Sequence, residues 1–154
     1  SHIIIAVGAR SKILPNLPQD KNKIIGYKEA ITLEKLPKSM IIVGSGAIGV
    51  EFAYFYNSLG TKVIMLEYLP RILPLEDEDI SKELELIFRK NGIKIFTSSY
   101  IDDININDKI KVNVINTSGK KHILETEIIL SAAGIIPNTS NLGLEETGIT
   151  SPIA

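Results

Sequence analysis

The chain has 154 residues, of which 44% are hydrophobic, enough for one domain with a core or for one domain and part of another. Its net charge is −1, from 17 basic and 18 acidic residues, so no broad basic surface for nucleic acid or an anionic membrane is expected. Cysteine is absent, which excludes a disulfide, a thiolate zinc site and a thiol nucleophile within this chain.

The first 35 residues contain one apolar run and little periodicity. Residues 3–7 predict a buried strand that ends at Gly8. Residues 11–20 contain two prolines and predict a loop. Residues 23–26 predict a short strand, and residues 29–35 one or two helical turns that stop before the next proline.

The next segment has a much stronger pattern. Residues 40–43 form an aliphatic run that predicts a strand, and residues 47–59 predict a helix that Gly60 ends in the left-handed conformation. Residues 62–67 predict another strand, which, like the first, reads as covered on both faces. The large apolar residues of the helix recur at helical spacing and predict its buried face: Ile48, Phe52, Phe55, Tyr56 and Leu59. Tyr54 is also interpreted as a packing residue rather than as a stacking contact.

A second helix is predicted to begin near Asp77 and to end at Asn91-Gly92. Its apolar stripe consists of four residues: Ile80, Leu84, Ile87 and Phe88. Residues 76–79 are all acidic, and we interpret them as carboxylates that favour a helix N-terminus rather than as a metal site. Residues 93–96 predict a third strand of the same series.

The remaining pattern changes from helical to alternating. Residues 101–106 and 109–116 alternate apolar and polar residues around Asn107-Asp108, which predicts a hairpin. Residues 122–130 either extend this antiparallel piece or return to the main sheet. The predicted fold class is α/β, with a Rossmann-like parallel sheet, flanking helices and a small antiparallel β-meander, a three-layer ββα arrangement.

The turn Gly44-Ser45-Gly46-Ala47-Ile48-Gly49 contains the glycine spacing of a phosphate-binding turn. In such a turn the first glycine permits the bend, the second lets a pyrophosphate approach the backbone, and the third lets helix and strand pack closely. The phosphate then lies on amide N–H groups at the positive end of the helix dipole. Because this motif follows a predicted strand and opens a predicted helix, it predicts a dinucleotide site.

Glu67 lies at the end of the following strand, eighteen residues after Gly49. A carboxylate at this position accepts hydrogen bonds from both ribose hydroxyls of adenosine and repels a 2′-phosphate, which favours NAD(H) over NADP(H). Arg71 is the alternative, since its charge would favour the phosphate. We prefer Glu67 because it holds the strand-end position.

Four segments in matching order resemble the dihydrolipoamide dehydrogenase branch of the flavin-dependent pyridine nucleotide–disulfide oxidoreductase family. They are residues 3–10 (IIIAVGAR), 36–74 (from LPKSMIIVGSGAIGVE to LPRILP), 88–95 (FRKNGIKI) and 132–149 (AAGIIPNTSNLGLEETGI). The resemblance implies an FAD domain interrupted by an NAD domain. On that template residues 1–35 are a remnant of the FAD domain and its connection, 36–130 the NAD-binding domain, and 131–154 the return to the FAD domain.

The resemblance also implies which residues contact NAD(H). The glycine turn would hold the pyrophosphate, Glu67 the adenosine ribose, Ile101 the adenine and Gly134 the other end of the nucleotide, while Glu51 would lie near the nicotinamide and flavin. The full set is Gly44, Ser45, Gly46, Ala47, Ile48, Gly49, Val50, Glu51, Glu67, Ile101 and Gly134. The chain departs from the family at Val7, where threonine is usual, and at Ile135, where arginine is common.

No catalytic residue or metal ligand is predicted within this chain. The family's CxxxxC redox pair and its His-x-x-x-x-Glu acid–base pair have no counterpart in the sequence, so we expect one domain of a longer enzyme that binds NAD(H) but is inactive alone. The resemblance implies that FAD is held by the rest of the parent enzyme, in which electrons would pass from dihydrolipoamide through cysteines and FAD to NAD⁺. The expected partners are the rest of this flavoprotein and, through it, a 2-oxo acid dehydrogenase complex, with no nucleic acid or membrane.

Two alternatives remain open. One is another member of the family, such as an NADH oxidase, a mercuric reductase or a glutathione-reductase-like enzyme. The other is a nucleotide-binding module without catalysis, against which stand the segments that resemble edges of an FAD domain. The apolar runs are too short for a membrane span, and the first residues do not resemble a secretory signal, so we expect a cytoplasmic location.

Overall fold

A computed structural model describes residues 2–148, so the predictions for residues 149–154 lie outside the described part. In chain order the strands are β1 (Ala9–Ser11), β2 (Ile24–Ile25), β3 (Ser39–Val43), β4 (Lys62–Leu66), β5 (Lys94–Phe96), β6 (Ser99–Ile106), β7 (Ile110–Asn116), β8 (Lys121–Thr126), β9 (Ile128–Ser131) and β10 (Ile135–Pro137). The α-helices are α1 (Tyr27–Ile31), α2 (Ala47–Ser58) and α3 (Glu78–Lys90), and a 3₁₀ turn spans Glu145–Thr147.

The main sheet has five parallel strands in the order β2-β9-β3-β4-β5. Strand β3 lies at its centre, with β9 and β4 as neighbours, so the chain leaves β3 at the point where the sheet order reverses direction. The prediction for residues 122–130 left two alternatives open, and the structure contains both. Strand β8 closes the antiparallel β6-β7-β8 meander, and β9 then enters the main sheet.

The core is split by the main sheet into two clusters. On one face Met40 and Ile42 pack with α2 and α3, and on the other Ile41 packs with the meander. All three residues are fully buried, which fits a parallel sheet covered on both sides. The order is therefore meander, parallel sheet, helices, and the predicted α/β fold class with three layers is confirmed.

For several residues of the helices, the prediction that the side chain is buried is wrong. In α2 the buried residues are Gly49, Val50, Ala53 and Tyr56, whereas Tyr54, Phe55 and Leu59 are exposed. The small side chains face the sheet because they allow the helix to approach it closely. In α3 the buried residues are Ser81 and Phe88, whereas Ile80 and Ile87 are exposed. Ile48, Phe52, Tyr56, Leu84 and Phe88 do pack in or against the core, so the large apolar residues identified the inner faces only in part and missed the small residues on them.

Two segments near the ends of the described chain form a separate two-stranded antiparallel sheet, the β1–β10 ribbon. Strand β1 pairs antiparallel with β10, from Ala9 opposite Pro137 to Ser11 opposite Ile135. The predicted buried strand at residues 3–7 is wrong: Ile3 and Ile4 are each 90% exposed, and no strand within residues 2–148 pairs with them. The run is apolar enough for a strand, but the described residues supply neither a sheet edge nor a covering layer.

Smaller differences concern element bounds and the sheet's extent. Helix α1 begins at Tyr27, earlier than the predicted helical turns at residues 29–35. Strand β2 comes from the segment before residue 36 and pairs with β9, so the main sheet extends further upstream than the predicted NAD-domain boundary. The longest α-helix has 13 residues, and none at residues 2–148 has the length and hydropathy of a membrane span.

Candidate functional site

A cavity of about 720 Å³ lies at the carboxyl edge of the main sheet, against the turn between β3 and α2. The end of β4, the start of β6 and the loop after β1 form its other walls. Ligand cavities of this kind commonly have volumes of ~300–1,000 Å³. In open α/β sheets ligands bind outside the carboxyl ends of the strands where the strand order reverses, and this cavity has that position.

The first and third glycines of the turn are required by close contacts. Gly44 has φ +99°, and a Cβ there would lie 2.6 Å from the carbonyl oxygen of Ala132. A Cβ on Gly49 would lie 2.1 Å from the carbonyl oxygen of Gly44, so only glycine lets α2 pack this closely against the turn. The two residues fix the bend and the helix approach that the motif predicted.

Gly46 differs from both, because within residues 2–148 no atom other than those of its two chain neighbours lies within 4 Å of the position its Cβ would take. It lines the cavity and has φ −68° and ψ −175°, an extended conformation that any residue can adopt. Packing and backbone conformation therefore do not require glycine here. What the glycine leaves is open space beside the backbone at the start of α2.

The N-terminus of α2 has unused hydrogen-bond donors. Gly46 is its N-cap, no side chain accepts a cap hydrogen bond, and the first turn contains no acidic residue. The first hydrogen bond of the helix runs from the Val50 amide to the Gly46 carbonyl at 3.1 Å. The amides of the first turn precede that bond, and in a helix such groups need an external acceptor. Together with the helix dipole they favour an anion.

Glu67 is tied directly to the glycine turn. It is 7% exposed, and its Oε2 accepts hydrogen bonds from the Ser45 amide at 2.9 Å and the Ser45 hydroxyl at 2.7 Å. Its Oε1 accepts one from the Leu69 amide at 2.8 Å. Three donors stabilise the buried carboxylate and fix it against the turn, and of its roughly four lone-pair sites one, on Oε1, remains for a ligand.

Arg71, the alternative to Glu67 in the sequence, is held elsewhere. Its guanidinium donates to the carbonyl oxygens of Pro74 at 3.0 Å and Glu76 at 3.1 Å. It does not belong to the cavity wall. The same loop leads to α3, whose N-cap Asp77 accepts a hydrogen bond from the Asp79 amide at 2.9 Å. The interpretation of residues 76–79 as a helix start is confirmed, and no cluster of three possible metal-binding side chains occurs within residues 2–148.

Of the eleven residues predicted to contact cofactor, eight line the cavity: Gly44, Ser45, Gly46, Ala47, Ile48, Glu67, Ile101 and Gly134. Ile101 is 5% exposed, and its carbonyl accepts a hydrogen bond from the Asn16 side chain at 2.8 Å. Gly49 and Val50 are buried behind the turn, and Glu51 is exposed on α2 outside the cavity wall. These three residues lie off the cavity surface, and their predicted contacts with the cofactor stay predictions.

A second cavity, of about 600 Å³, lies at the amino edge of the same sheet. Its wall contains Lys62, Lys94 and the glycines that follow the two long helices, Gly60 and Gly92. Helix C-termini present carbonyl groups, and several polar groups here already have partners, such as Asn57, whose side chain donates to the Asn91 carbonyl at 3.1 Å. Size alone does not distinguish the two cavities, but unused amide donors beside an open backbone occur at the carboxyl edge.

The sequence of residues 1–152 matches the family model for pyridine nucleotide-disulphide oxidoreductases. The chain belongs to this family. Among its relatives is a dihydrolipoyl dehydrogenase from Rhizobium etli, 42% identical over 149 residues, which are 96% of this chain and 31% of that protein. A dihydrolipoyl dehydrogenase from Mycobacterium leprae is 37% identical over 97% of this chain and 32% of its own length.

Solved structures of pyridine nucleotide-disulphide oxidoreductases share the fold. LpdA from Mycobacterium tuberculosis superposes with a TM-score of 0.80 at 33% identity, over 94% of this chain and 31% of LpdA. The chain thus spans about a third of the length of the curated relatives it matches. The resemblance predicted from the sequence segments is confirmed at the level of the family.

Family resemblance did not predict the whole wall. The loop after β1 contributes Lys12, Leu14 and Asn16, which sequence analysis placed in an unassigned loop. Their contacts are distant in sequence, since Asn16 reaches Ile101 across 85 positions, so no local pattern indicates them. Tyr68 and Tyr100 were also missed. Each is next to a predicted contact residue, Glu67 or Ile101, and that adjacency could have indicated them.

Proposed function

We propose that the chain binds NAD(H) in the carboxyl-edge cavity and is the nucleotide-binding part of a flavin-dependent dihydrolipoamide dehydrogenase. The supporting observation is the start of α2: an uncapped helix N-terminus whose N-cap, Gly46, has open space beside its backbone. A pyrophosphate there accepts hydrogen bonds from the first-turn amides without meeting a side chain. The names of the relatives support the dihydrolipoamide dehydrogenase part of the proposal.

The carboxylate of Glu67 determines which of the two dinucleotides, NAD(H) or NADP(H), the site prefers. In this proposal a ribose hydroxyl of the adenosine half donates to the Oε1 lone pair that Ser45 and Leu69 leave unused. A 2′-phosphate would place negative charge beside this carboxylate, and Arg71 is committed to loop carbonyls rather than available to offset it. We therefore assign NAD(H) rather than NADP(H).

The remaining contacts follow the covalent order of the dinucleotide. Ile101 lies on the cavity wall near Glu67 and provides an apolar surface for adenine. Gly134 lies beyond β9 and would face the other half of the molecule. Glu51 is exposed on α2, and we assign it to the surface where nicotinamide and flavin meet in the whole enzyme. The nicotinamide supplies the hydride chemistry, and these residues bind and orient it.

The β1–β10 ribbon supports a second unit in the parent. Residues 9–11 and 135–137 pair with each other rather than with the main sheet, which brings the two flanking segments together. We propose that the chain before β2 and the chain after β9 belong with the FAD-binding portion. The partners in this proposal are the rest of the flavoprotein and, through it, a 2-oxo acid dehydrogenase complex.

A titration with NADH tests the proposal. Gly46→Ala fits the backbone of Gly46 and meets no atom within 4 Å, so its stability in urea should equal that of the wild type. Its methyl group lies where the pyrophosphate approaches, and NADH affinity should fall at least about tenfold. Ser58→Ala, at the exposed end of the same helix, is the matched control and should bind as the wild type does. The proposal fails if the wild-type chain shows no saturable binding at millimolar NADH, or if Gly46→Ala binds normally.

A further inference from the structure

Two tyrosines lie side by side on the cavity. The ring centroids of Tyr68 and Tyr100 are 6.4 Å apart and their planes are tilted by 56°. Both residues line the cavity, yet Tyr68 is 67% and Tyr100 is 42% exposed. Neither belongs to the two hydrophobic clusters of the core. They are large aromatic side chains that the fold does not use to fill its interior.

The backbone under this pair is firmly held. Tyr68 follows Glu67 and Tyr100 follows Ser99, and the Ser99 amide donates to the Glu67 carbonyl at 2.9 Å. The Ser98 amide donates to the Leu69 carbonyl at 2.9 Å, so two hydrogen bonds join the segments that carry the rings. The Glu67 carboxylate adds its bond to the Leu69 amide. The backbone positions of the two tyrosines are therefore fixed relative to the carboxylate.

We propose that Tyr68 and Tyr100 form an aromatic platform for the purine base of the bound dinucleotide, an inference that rests on the proposed function. Their place along the cavity matches the order of groups in an adenosine phosphate. The uncapped start of α2 would face the phosphate, Glu67 the ribose, and the tyrosines, which neighbour Glu67 and Ile101, the base.

The geometry of the rings suits a flat ligand. Because the ring planes are tilted by 56°, one tyrosine stacks face to face with the base while the other meets it edge-on, and aromatic pairs favour both arrangements. Stacking uses the π-face that every base has, so the platform recognises a purine by its shape and polarisability rather than by hydrogen bonds. Ile101 covers the base from the apolar side.

Tyr54 provides a matched control. It is 67% exposed, as Tyr68 is, but it lies on α2 and does not line the cavity. Tyr68→Ala and Tyr100→Ala should each weaken binding of NADH and ADP-ribose about tenfold, whereas Tyr54→Ala should leave both unchanged. Tyr68→Phe and Tyr100→Phe keep the ring and should retain wild-type affinity. All these side chains are exposed, so the urea midpoints should stay constant.

The fluorescence of the chain gives an independent signature. It contains five tyrosines and no tryptophan, so its intrinsic emission is that of tyrosine. ADP-ribose, which has the adenine but lacks nicotinamide, should quench this emission in the wild type and in Tyr54→Ala. The quenched fraction should fall in Tyr68→Ala and in Tyr100→Ala even at saturating ligand.

The outcomes separate the two proposals. If the wild type binds neither NADH nor ADP-ribose, the proposed function fails and the platform fails with it. If the wild type binds both and the two alanine variants bind them equally well with undiminished quenching, the platform alone is wrong. If the phenylalanine variants are as weak as the alanine variants, the hydroxyl groups and not the rings make the contact, which also overturns the proposal.

Discussion

The two long helices begin in opposite ways, although each follows a strand of the same parallel sheet. Helix α3 is capped by its own sequence, since Asp77 accepts a hydrogen bond from the Asp79 amide and the first turn adds Glu78 and Asp79. Helix α2 begins at Gly46, with no capping side chain and no acid in its first turn. The N-terminus of α3 is partly satisfied by its own side chains, whereas that of α2 has no side-chain cap among residues 2–148.

This difference shows how to distinguish a structural helix start from a binding one. Both helix ends have the same dipole and the same surplus of amides, so the dipole alone does not mark a site. At α3 local carboxylates satisfy part of that surplus. At α2 the carboxylate of Glu67 comes from the end of β4 and accepts hydrogen bonds from Ser45, before the helix starts. In the proposed complex this negative charge lies beside the phosphate without occupying its position.

The largest effect is expected when α2 is given the cap that α3 has. Gly46→Asp places a carboxylate at an N-cap whose backbone is already extended and whose side-chain position is empty. It would take first-turn amides and repel the pyrophosphate, so NADH affinity should fall roughly a hundredfold, about 2.7 kcal/mol. Stability should rise by only a few tenths of a kcal/mol, ~0.3, because glycine is itself a fair N-cap.

Binding by titration calorimetry and unfolding in urea measure the two quantities on the same Gly46→Asp protein. Normal NADH affinity in this variant would show that the α2 N-terminus is not the phosphate site. A large loss of stability would show that Gly46 is required by the fold, which contradicts the open space beside it.

A smaller effect on NADH affinity is expected from a change at Glu67, whose carboxylate accepts hydrogen bonds from Ser45 just before α2. In Glu67→Gln the amide NH₂ cannot accept a hydrogen bond, so either Ser45 or Leu69 loses its partner and the ribose loses an anionic acceptor. NADH affinity should fall about tenfold, ~1.4 kcal/mol, and the discrimination against NADPH should decrease because the repelling charge is gone.

Ser45→Ala is the control for Glu67→Gln, since it removes one donor and keeps the carboxylate. Its preference for NADH over NADPH should persist, measured as the ratio of the two dissociation constants. An unchanged ratio in Glu67→Gln would contradict the proposed contact between Glu67 and the adenosine ribose, but would not contradict the proposed phosphate site.

The same comparison explains what the sequence could predict. The strand, turn and helix at residues 39–58 were predicted within a residue or two, because glycine spacing and aliphatic runs act over short distances. The cap at Asp77 was likewise predictable. The inner face of α2 was predicted only in part, because Gly49 and Ala53 pack against the sheet by being small while Phe55 points outward. A pattern search counts large apolar residues and overlooks small ones.

The cavity wall shows the same limit at longer range. Lys12 and Asn16 reach the site only because the loop after β1 folds over β9 and β6, and Asn16 contacts Ile101 across 85 positions. No local signal encodes such a contact. Most of the predicted residues that line the cavity lie in the turn itself or at the end of the next strand, where a motif and its fold specify each other, whereas Ile101 and Gly134 came only from the family resemblance.

The smallest effect is expected at α3, whose N-terminus is capped by Asp77. Asp77→Ala removes the hydrogen bond to the Asp79 amide and should lower the free energy of unfolding by about 1 kcal/mol, the usual cost of losing an N-cap. NADH affinity should not change, because Asp77 is outside the cavity wall. Asp77→Asn, which keeps a capping acceptor, should restore most of the stability in urea. If instead Asp77→Ala weakens NADH binding as strongly as it weakens folding, the two helix starts are coupled through the loop that holds Arg71, and they cannot be treated as one structural and one binding terminus.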